Sequence, residues 1–355
     1  MTYQYGKVET IRNVLFGSLH DFLQESGFGA VMDLTVELVY ELSDFREESE
    51  AYFPDVFLLK IGNGEDTLTS LAPSAQRISL ESIEIAPGTG AKILKNTAAL
   101  AEAGWAVYIS IDGKKASYGV FRSEISPIAV STLDMLVAST PETGIGLLIR
   151  NCSKKCVELV ACGGRRMEMA LTVEKPGRTS LSVAIEKLAK EITADVEEEY
   201  RGICMAYFEK LLFRILQRSH GTIILVVPSI QNSLPGWFED GIAISPPVDF
   251  ERPLREFKKA ETAASLSELF SLETLLRGMI RSDGLTIFGS DATIRAYRVF
   301  VKPDADEHRR LSDTEIHGGA RSRAHELLKL RLGDSLNSVF YQSHDGKSNC
   351  TVKNE

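Results

Sequence analysis

The sequence predicts an α/β (α+β) protein of two domains: a mixed α/β N-terminal domain, then a domain with a mixed central sheet flanked by helices. Three observations predict it. The chain has 355 residues, 44% hydrophobic and 25% charged, enough for two buried cores at ordinary globular composition. Strand-like apolar runs are interspersed with stretches of helical periodicity. Lys175-Pro176-Gly177 punctuates the middle, and the patterning changes character beyond it.

In the first half, Ser18 to Ser26 reads as a short helix, and Val31 to Leu42 alternates as a strand does, through Leu34, Val36, Leu38 and Tyr40. Ala91 to Ala103 is alanine-rich and reads as helix. Trp105 to Ile111 and Ala116 to Phe121 read as a hairpin turned at Asp112-Gly113. Ile145 to Ile149 and Cys156 to Ala161 read as another.

Past the Pro-Gly break, Thr179 or Ser180 can cap a helix running to about Gln217. Ile185, Leu188, Ile192, Val196, Tyr200, Ile203, Tyr207 and Leu211 form one apolar stripe along it. Such a helix is expected to connect two domains and offer its stripe to a partner helix. The expected division is residues 1–180, a connector 181–218, and a second domain 219–355. In that domain Gly221 to Val227 is a continuous β-branched run and so a buried strand. Leu266 to Met279 reads as helix, and Gly284 to Phe288 with Ile294 to Phe300 as a hairpin around Gly289-Ser290-Asp291. Ala320 to Leu332 reads as helix and Ser338 to Gln342 as strand.

Forty basic residues against 49 acidic ones leave a net charge of −9. Bulk attraction to DNA or to an anionic membrane is thereby excluded, so any phosphate recognition must be local. No window approaches the roughly 18 apolar residues of a membrane span, and Met1 to Arg12 lacks a signal-peptide core. Five cysteines, an odd and low number, argue against a disulfide framework and for a cytoplasmic protein. Cys152, Cys156 and Cys162 cluster, but their spacing does not match zinc knuckles and no histidine lies close, so they read as buried thiols of a hairpin. Gly88-Thr89-Gly90-Ala91-Lys92 hints at a phosphate loop but lacks a second glycine before the lysine. The six histidines, His317 among them, are scattered, and no Gly-x-Ser-x-Gly elbow exists.

Two short constellations remain, both in the second domain. Gly318-Gly319-Ala320-Arg321-Ser322-Arg323-Ala324 opens a helix. Glycines allow close backbone approach, and the helix start presents free N–H groups carrying about half a positive charge. Arginines in that first turn oppose the helix dipole unless an anion offsets them, and guanidinium forks suit phosphate oxygens. The alternative is that both arginines are simply solvated. Ser282-Asp283-Gly284-Leu285 sits at a strand entrance. Asp-Gly is the commonest turn dipeptide, but a carboxylate at a strand mouth can also hold Mg2+ or Mn2+, ions that take their remaining ligands from phosphates and water. Asp283 with the two arginines would then make a nucleoside-triphosphate site.

In their order these pieces resemble the diadenylate cyclase domain of the DNA-integrity-scanning type (DisA_N). That family shows an apolar strand, a Leu-Leu helix, Asp-Gly-Ala entering a strand, Gly-Thr-Arg-His-Arg-Ala-Ala opening a helix, and a final strand ending in a Ser-Glu turn. Here stand Gly221-Thr222-Ile223-Ile224-Leu225-Val226, Leu275-Leu276, Asp283-Gly284-Leu285, Gly319-Ala320-Arg321-Ser322-Arg323-Ala324 and Ser343-His344-Asp345-Gly346. The resemblance covers roughly residues 190–350. It implies that Asp283 binds the catalytic Mg2+ or Mn2+ and helps activate the ribose 3′-hydroxyl of ATP. Gly284 and Leu285 would line the nucleotide, Gly319, Arg321 and Arg323 would hold its phosphates, and Ala320, Ser322 and Ser343 would complete the substrate site. Two ATP would become cyclic di-AMP and two pyrophosphates, on two domains meeting face to face in a homo-oligomer. Residues 1–180 would be a sensor domain of unknown ligand, with no membrane or nucleic-acid partner. Leu285, Ala320, Ser322 and Val227 depart from the family's alanine, threonine, histidine and glutamate. They leave a second reading open: a catalytically degenerate nucleotide-binding receptor.

Overall fold

Helices and strands interleave throughout the chain, and a computed structural model describes residues 11–60, 67–72, 75–102, 104–122, 126–128, 130–140, 146–171, 180–230, 236–312, 319–333, 335–344 and 346–353. Residues 1–10, Ala103, residue 145, Lys175-Pro176-Gly177, Thr179, His317, Gly318 and Asp345, all singled out above, lie outside the described residues. The chain divides into two units, 1–173 and 174–355. Both are mixed α/β.

The first unit runs α1 (Ile11–Glu25), α2 (Met32–Leu42), a small pair β1 (Arg46–Glu47) and β2 (Glu50–Ala51), β3 (Val56–Lys60), α3 (Thr67–Leu71), β4 (Arg77–Glu84), α4 (Thr89–Thr97), β5 (Trp105–Asp112), β6 (Lys115–Arg122), α5 (Thr132–Ala138), β7 (Gly146–Ser153), β8 (Cys156–Ala161) and β9 (Arg166–Ala170). Seven strands form one sheet in the order β4-β6-β5-β3-β7-β8-β9. β3 pairs parallel with β5, and the other neighbours are antiparallel. Alternate side chains serve two cores, as the two-residue period of a strand requires. Leu58, Ile109, Ile149 and Leu159 face Leu19, Leu38 and Leu94 of α1, α2 and α4. Phe57, Tyr108, Leu148 and Val160 face Leu68, Leu71 and Leu136 of α3 and α5.

Both predicted hairpins are present, β5–β6 turning at Gly113 (φ +56°) and β7–β8 at Lys154-Lys155. The segment read as a strand at 31–42 is instead helix α2. Its alternation ends at Tyr40, which is 53% exposed, whereas Thr35, Val39 and Leu42 complete a buried helical stripe with Leu34 and Leu38. Apolar residues at 34, 36 and 38 fit both periods, and packing against α1 and the sheet selects the helix. The alanine-rich segment is α4 followed by a single 3-10 turn at Ala98–Leu100. The Glu37 carboxylate accepts from the Gly90 and Ala91 amides at 3.0 and 3.5 Å, so the phosphate-loop look-alike binds an anion supplied by α2.

The second unit runs α6 (Leu181–Ile192), α7 (Glu198–Leu216), β10 (Thr222–Val227), β11 (Phe238–Asp249), α8 (Glu251–Ala260), α9 (Ala263–Arg281), β12 (Leu285–Gly289), β13 (Thr293–Val301), α10 (Ala305–Ser312), α11 (Ala320–Lys329), β14 (Ser338–Gln342) and β15 (Ser348–Val352). The sheet order is β11-β13-β12-β10-β14-β15, with β10 parallel to β12 and the rest antiparallel. α11 covers one face through Leu328, which packs on Ile223, Leu225, Ile287 and Val339. On the other face Phe208 of α7 meets Phe250 and Phe288, at ring separations of 5.2 and 5.9 Å. Among the described residues no helix is long and apolar enough to cross a membrane.

The continuous helix expected from 180 to 217 is broken at residues 193–197 into α6 and α7, which pack on each other. Asp195 fills the break. Its carboxylate accepts from the hydroxyls of Ser290 and Ser229 at 2.5 and 2.8 Å, while its amide donates to the Ser290 carbonyl at 2.8 Å. Those hydroxyls hold its pKa below the ordinary aspartate value. Ile185, Leu188, Ile192, Val196, Tyr200, Tyr207 and Leu211 are all buried, so most of the stripe is consumed by the chain's own packing and is not left for a partner helix. Replacing Asp195 by Ala is expected to lower unfolding free energy by about 1–3 kcal/mol, as loss of hydrogen bonds to a charged acceptor does. Urea unfolding checks it, and an unchanged midpoint would refute the role of Asp195 in docking the break.

Candidate functional site

Register decides which loops meet. β10 and β12 run parallel with Ile223 beside Leu285, so two residues earlier Gly221 stands level with Asp283. β14 runs the other way with Gln342 opposite Thr222, which brings Ser343 beside Gly221. The entrances of β10 and β12 and the exit of β14 therefore open on one edge of the sheet. The start of α11 is tied there too. Arg321 Nη1 donates to the His220 carbonyl at 3.1 Å, and the hydroxyls of Ser322 and Tyr341 are 2.9 Å apart.

The edge is built on close backbone approaches. Gly284 has φ +95°, and a Cβ there would lie 2.7 Å from the Arg298 carbonyl carbon. Gly221 has φ +92°, with a Cβ position 2.8 Å from the Gln342 carbonyl oxygen. Neither position admits a side chain without moving backbone. The Asp-Gly pair thus has a structural reason of its own, and Asp283 is carried to the rim, where it is exposed.

The other sequence-selected residues are placed as follows. Leu285 is buried in the core beneath α11, packed with Ile223 and Leu328. Gly319 caps α11 with no side-chain hydrogen bond, and Gly319 and Ala320 are exposed. Ser343 closes the turn into β15: its Oγ accepts from the Lys347 amide at 3.0 Å and its amide donates to the Lys347 carbonyl at 2.8 Å. Arg323 is exposed two residues after Arg321, about 200° further round the helix, so only Arg321 is tied to the entrance of β10. Asp283, Arg321, Ser322 and Ser343 share the edge; Leu285 supports it from inside.

Four residues at this edge were missed by sequence reasoning. His220 and His344 stack with ring centres 5.8 Å apart. Arg298 has φ +54° at an irregularity of the β12–β13 pairing and lies against Gly284; bulges of this kind re-aim side chains beside functional sites. His325 is buried against the Tyr341 ring at 4.8 Å, and its Nε2 has no hydrogen-bond partner among the described residues. Burial pushes its pKa down to about 4. Their only sequence signal is position beside the motifs, since strand pairing over more than 100 residues brings His220 to His344.

Among the described residues the edge offers the exposed Asp283 carboxylate, an arginine at a helix start and imidazole nitrogens. A carboxylate at an open rim suits Mg2+ or Mn2+, which fill their shells with water and phosphate oxygens; Asp283 is the described residue that would hold the ion. No family model, curated protein or solved structure matches the chain.

His325 makes stability depend on pH. Its folded pKa lies below the unfolded value of 6.5, so the unfolded state takes up the proton first. Stability is then lost as pH falls from about 6.5 towards 4, with a slope of up to about 1.4 kcal/mol per pH unit from this group. His325→Phe keeps a ring against Tyr341 and is expected to flatten that slope in urea unfolding at pH 7, 5.5 and 4.5. An identical slope in the variant would refute it.

Proposed function

We propose that the second unit is a nucleotidyltransferase of the diadenylate cyclase kind, binding ATP with Mg2+ or Mn2+ at the edge formed by Asp283 and Arg321. The observation that carries the reading is the meeting of Asp283, from the entrance of β12, with Arg321, from the entrance of α11, on one sheet edge. The order of elements around them supports it as well.

In this reading Asp283 holds the divalent ion, whose positive charge supplies stabilisation to the phosphates and lowers the pKa of the attacking hydroxyl. Arg321 and the backbone amides of the α11 start neutralise the triphosphate. Arg323 adds positive charge from the far side of that turn. The 3′-oxygen of each nucleotide attacks the α-phosphorus of the other. Each P–O bond formed is matched by one broken to pyrophosphate, and each hydroxyl proton leaves to solvent. One unit holds one ATP, so two copies must face each other, and alignment does most of the work. The first unit would sense a ligand and gate that encounter.

The departures from the family are partly absorbed by packing. Leu285 is in the core, and the Ser322 hydroxyl is engaged by Tyr341. Incubating the full chain with ATP and Mn2+ is expected to yield cyclic di-AMP and pyrophosphate by mass spectrometry. Asp283→Asn should abolish product, and Arg321→Ala should reduce it by at least about tenfold, the loss of one charge-assisted phosphate contact. ATP bound without turnover would move the reading to a nucleotide receptor. Neither binding nor turnover would overturn both.

A further inference from the structure

We infer that Cys152, Cys156 and Glu168 of the first unit form a binding site for a thiophilic divalent cation of the Zn2+ type. The inference stands apart from the nucleotide reading, because it uses only the β7-β8-β9 corner of the first sheet.

The three strands are consecutive and antiparallel. Asn151 pairs with Val157 and Ser153 with Cys156, so Cys152 is the extra residue of a bulge next to the hairpin turn. A bulge turns the extra residue towards side chains it would otherwise pass. Cys156 starts β8, and Glu168 lies on β9 opposite Glu158, two residues along β8 from Cys156 and therefore on the same face. The third donor thus comes from a strand that cysteine spacing alone does not reveal.

The geometry is that of a ligand shell. Both thiols donate to the same carboxylate oxygen, Glu168 Oε1, each at 3.3 Å, and the three donor atoms lie within 4.8 Å of one another. A tetrahedral Zn2+ with Zn–S of about 2.3 Å and Zn–O of about 2.0 Å needs S–O edges of about 3.5 Å and an S–S edge of about 3.8 Å. The observed S–O separations are close to that without rearrangement. Cys152 is 1% exposed and Cys156 7%, while Glu168 is exposed. The site is closed from below and open on the carboxylate side, where water can supply a fourth ligand. Cys162, the third cysteine of the sequence cluster, is elsewhere: its Sγ accepts from the Gly146 amide at 3.2 Å.

The neighbouring row of side chains stiffens the corner. Buried Arg150 on β7 meets Glu158 on β8 at 2.7 Å, and Arg166 on β9 reaches the other oxygen of Glu158 at 3.3 Å. These pairs lock the three strands in register and place two guanidinium groups near the negative charge that two thiolates and a carboxylate would bring. Without metal, hydrogen bonding to Cys156 and burial push the Cys152 thiol pKa well up, and both thiols donate to Glu168 Oε1. Binding is therefore an exchange without redox change: two S–H bonds break, two metal–sulfur bonds form, and two protons leave to buffer.

The test uses the full chain, reduced and metal-free. Titration with Co2+ is expected to give thiolate-to-cobalt charge-transfer absorption and intense tetrahedral visible bands saturating at one equivalent, and Zn2+ should displace them. Cys152→Ser and Cys156→Ser should each remove the charge-transfer band or weaken binding at least about tenfold, Glu168→Gln should weaken binding by a similar factor, and Cys204→Ser should change nothing. No charge-transfer band in the wild type, or a band kept at full strength in the Cys152→Ser/Cys156→Ser double variant, would overturn the inference. Because both thiols are buried and a serine variant can misfold, proton release is measured on the wild type as well. Two protons per Zn2+ at pH 7 are expected, and fewer would count against dithiolate ligation.

Discussion

The parallel pairing of β10 with β12 is the constraint on which the second unit depends. Parallel neighbours cannot be joined by a tight turn, so the chain must cross over through other elements before it returns. Here the crossover contains β11, α8 and α9, and it delivers both strands to the sheet with their entrances on one side. β14 inserts antiparallel on the other flank of β10 and leaves at that same side. Positive-φ glycines at 221 and 284 let the flanking backbones close in, and a rim of polar side chains follows. The opposite end of the sheet is committed to structure, since Asp195, Ser229 and Ser290 there tie the α6–α7 break to the strand ends.

Buried or half-buried charge is used in the same way in both units: it sits where the chain changes direction and where strand order must be unique. Glu37 satisfies the start of α4, Asp195 fills a helix break, and Arg150 with Glu158 spans β7 and β8. Buried pairs of this kind contribute little net stability compared with apolar packing, and are costly when one partner is removed. Their effect is on register. The Cys152, Cys156 and Glu168 cluster lies beside such a pair, so its geometry is held by the strands and not by the flexibility of its own side chains.

Much of the second unit was legible as elements. The β-branched run 222–227 reads as a buried strand, and the β12–β13 hairpin announces itself by apolar runs around turn residues. Helix α2 was misread because a short run with apolar residues at 34, 36 and 38 satisfies two periods at once. The break at 193–197 was missed because the apolar stripe passes through it unaltered; what ends α6 is the pull of Ser229 and Ser290 on Asp195, residues more than 30 positions away. Strands β1, β2, β3, β4, β9, β11 and β15 were not legible, being short, exposed or irregular.

The same division holds for the candidate site. Local chemistry determined which residues were worth choosing, because Asp-Gly and a glycine-led arginine turn carry their conformational and electrostatic preferences with them. It also determined a length sufficient for two domains and a net charge of −9. Tertiary structure alone decided that Asp283, Arg321, His220 and His344 share an edge, that Leu285 goes inward, and that Glu168 joins two thiols. Those are consequences of strand register. Register is set by pairing between segments distant in sequence, and no local pattern encodes which partner a strand will take.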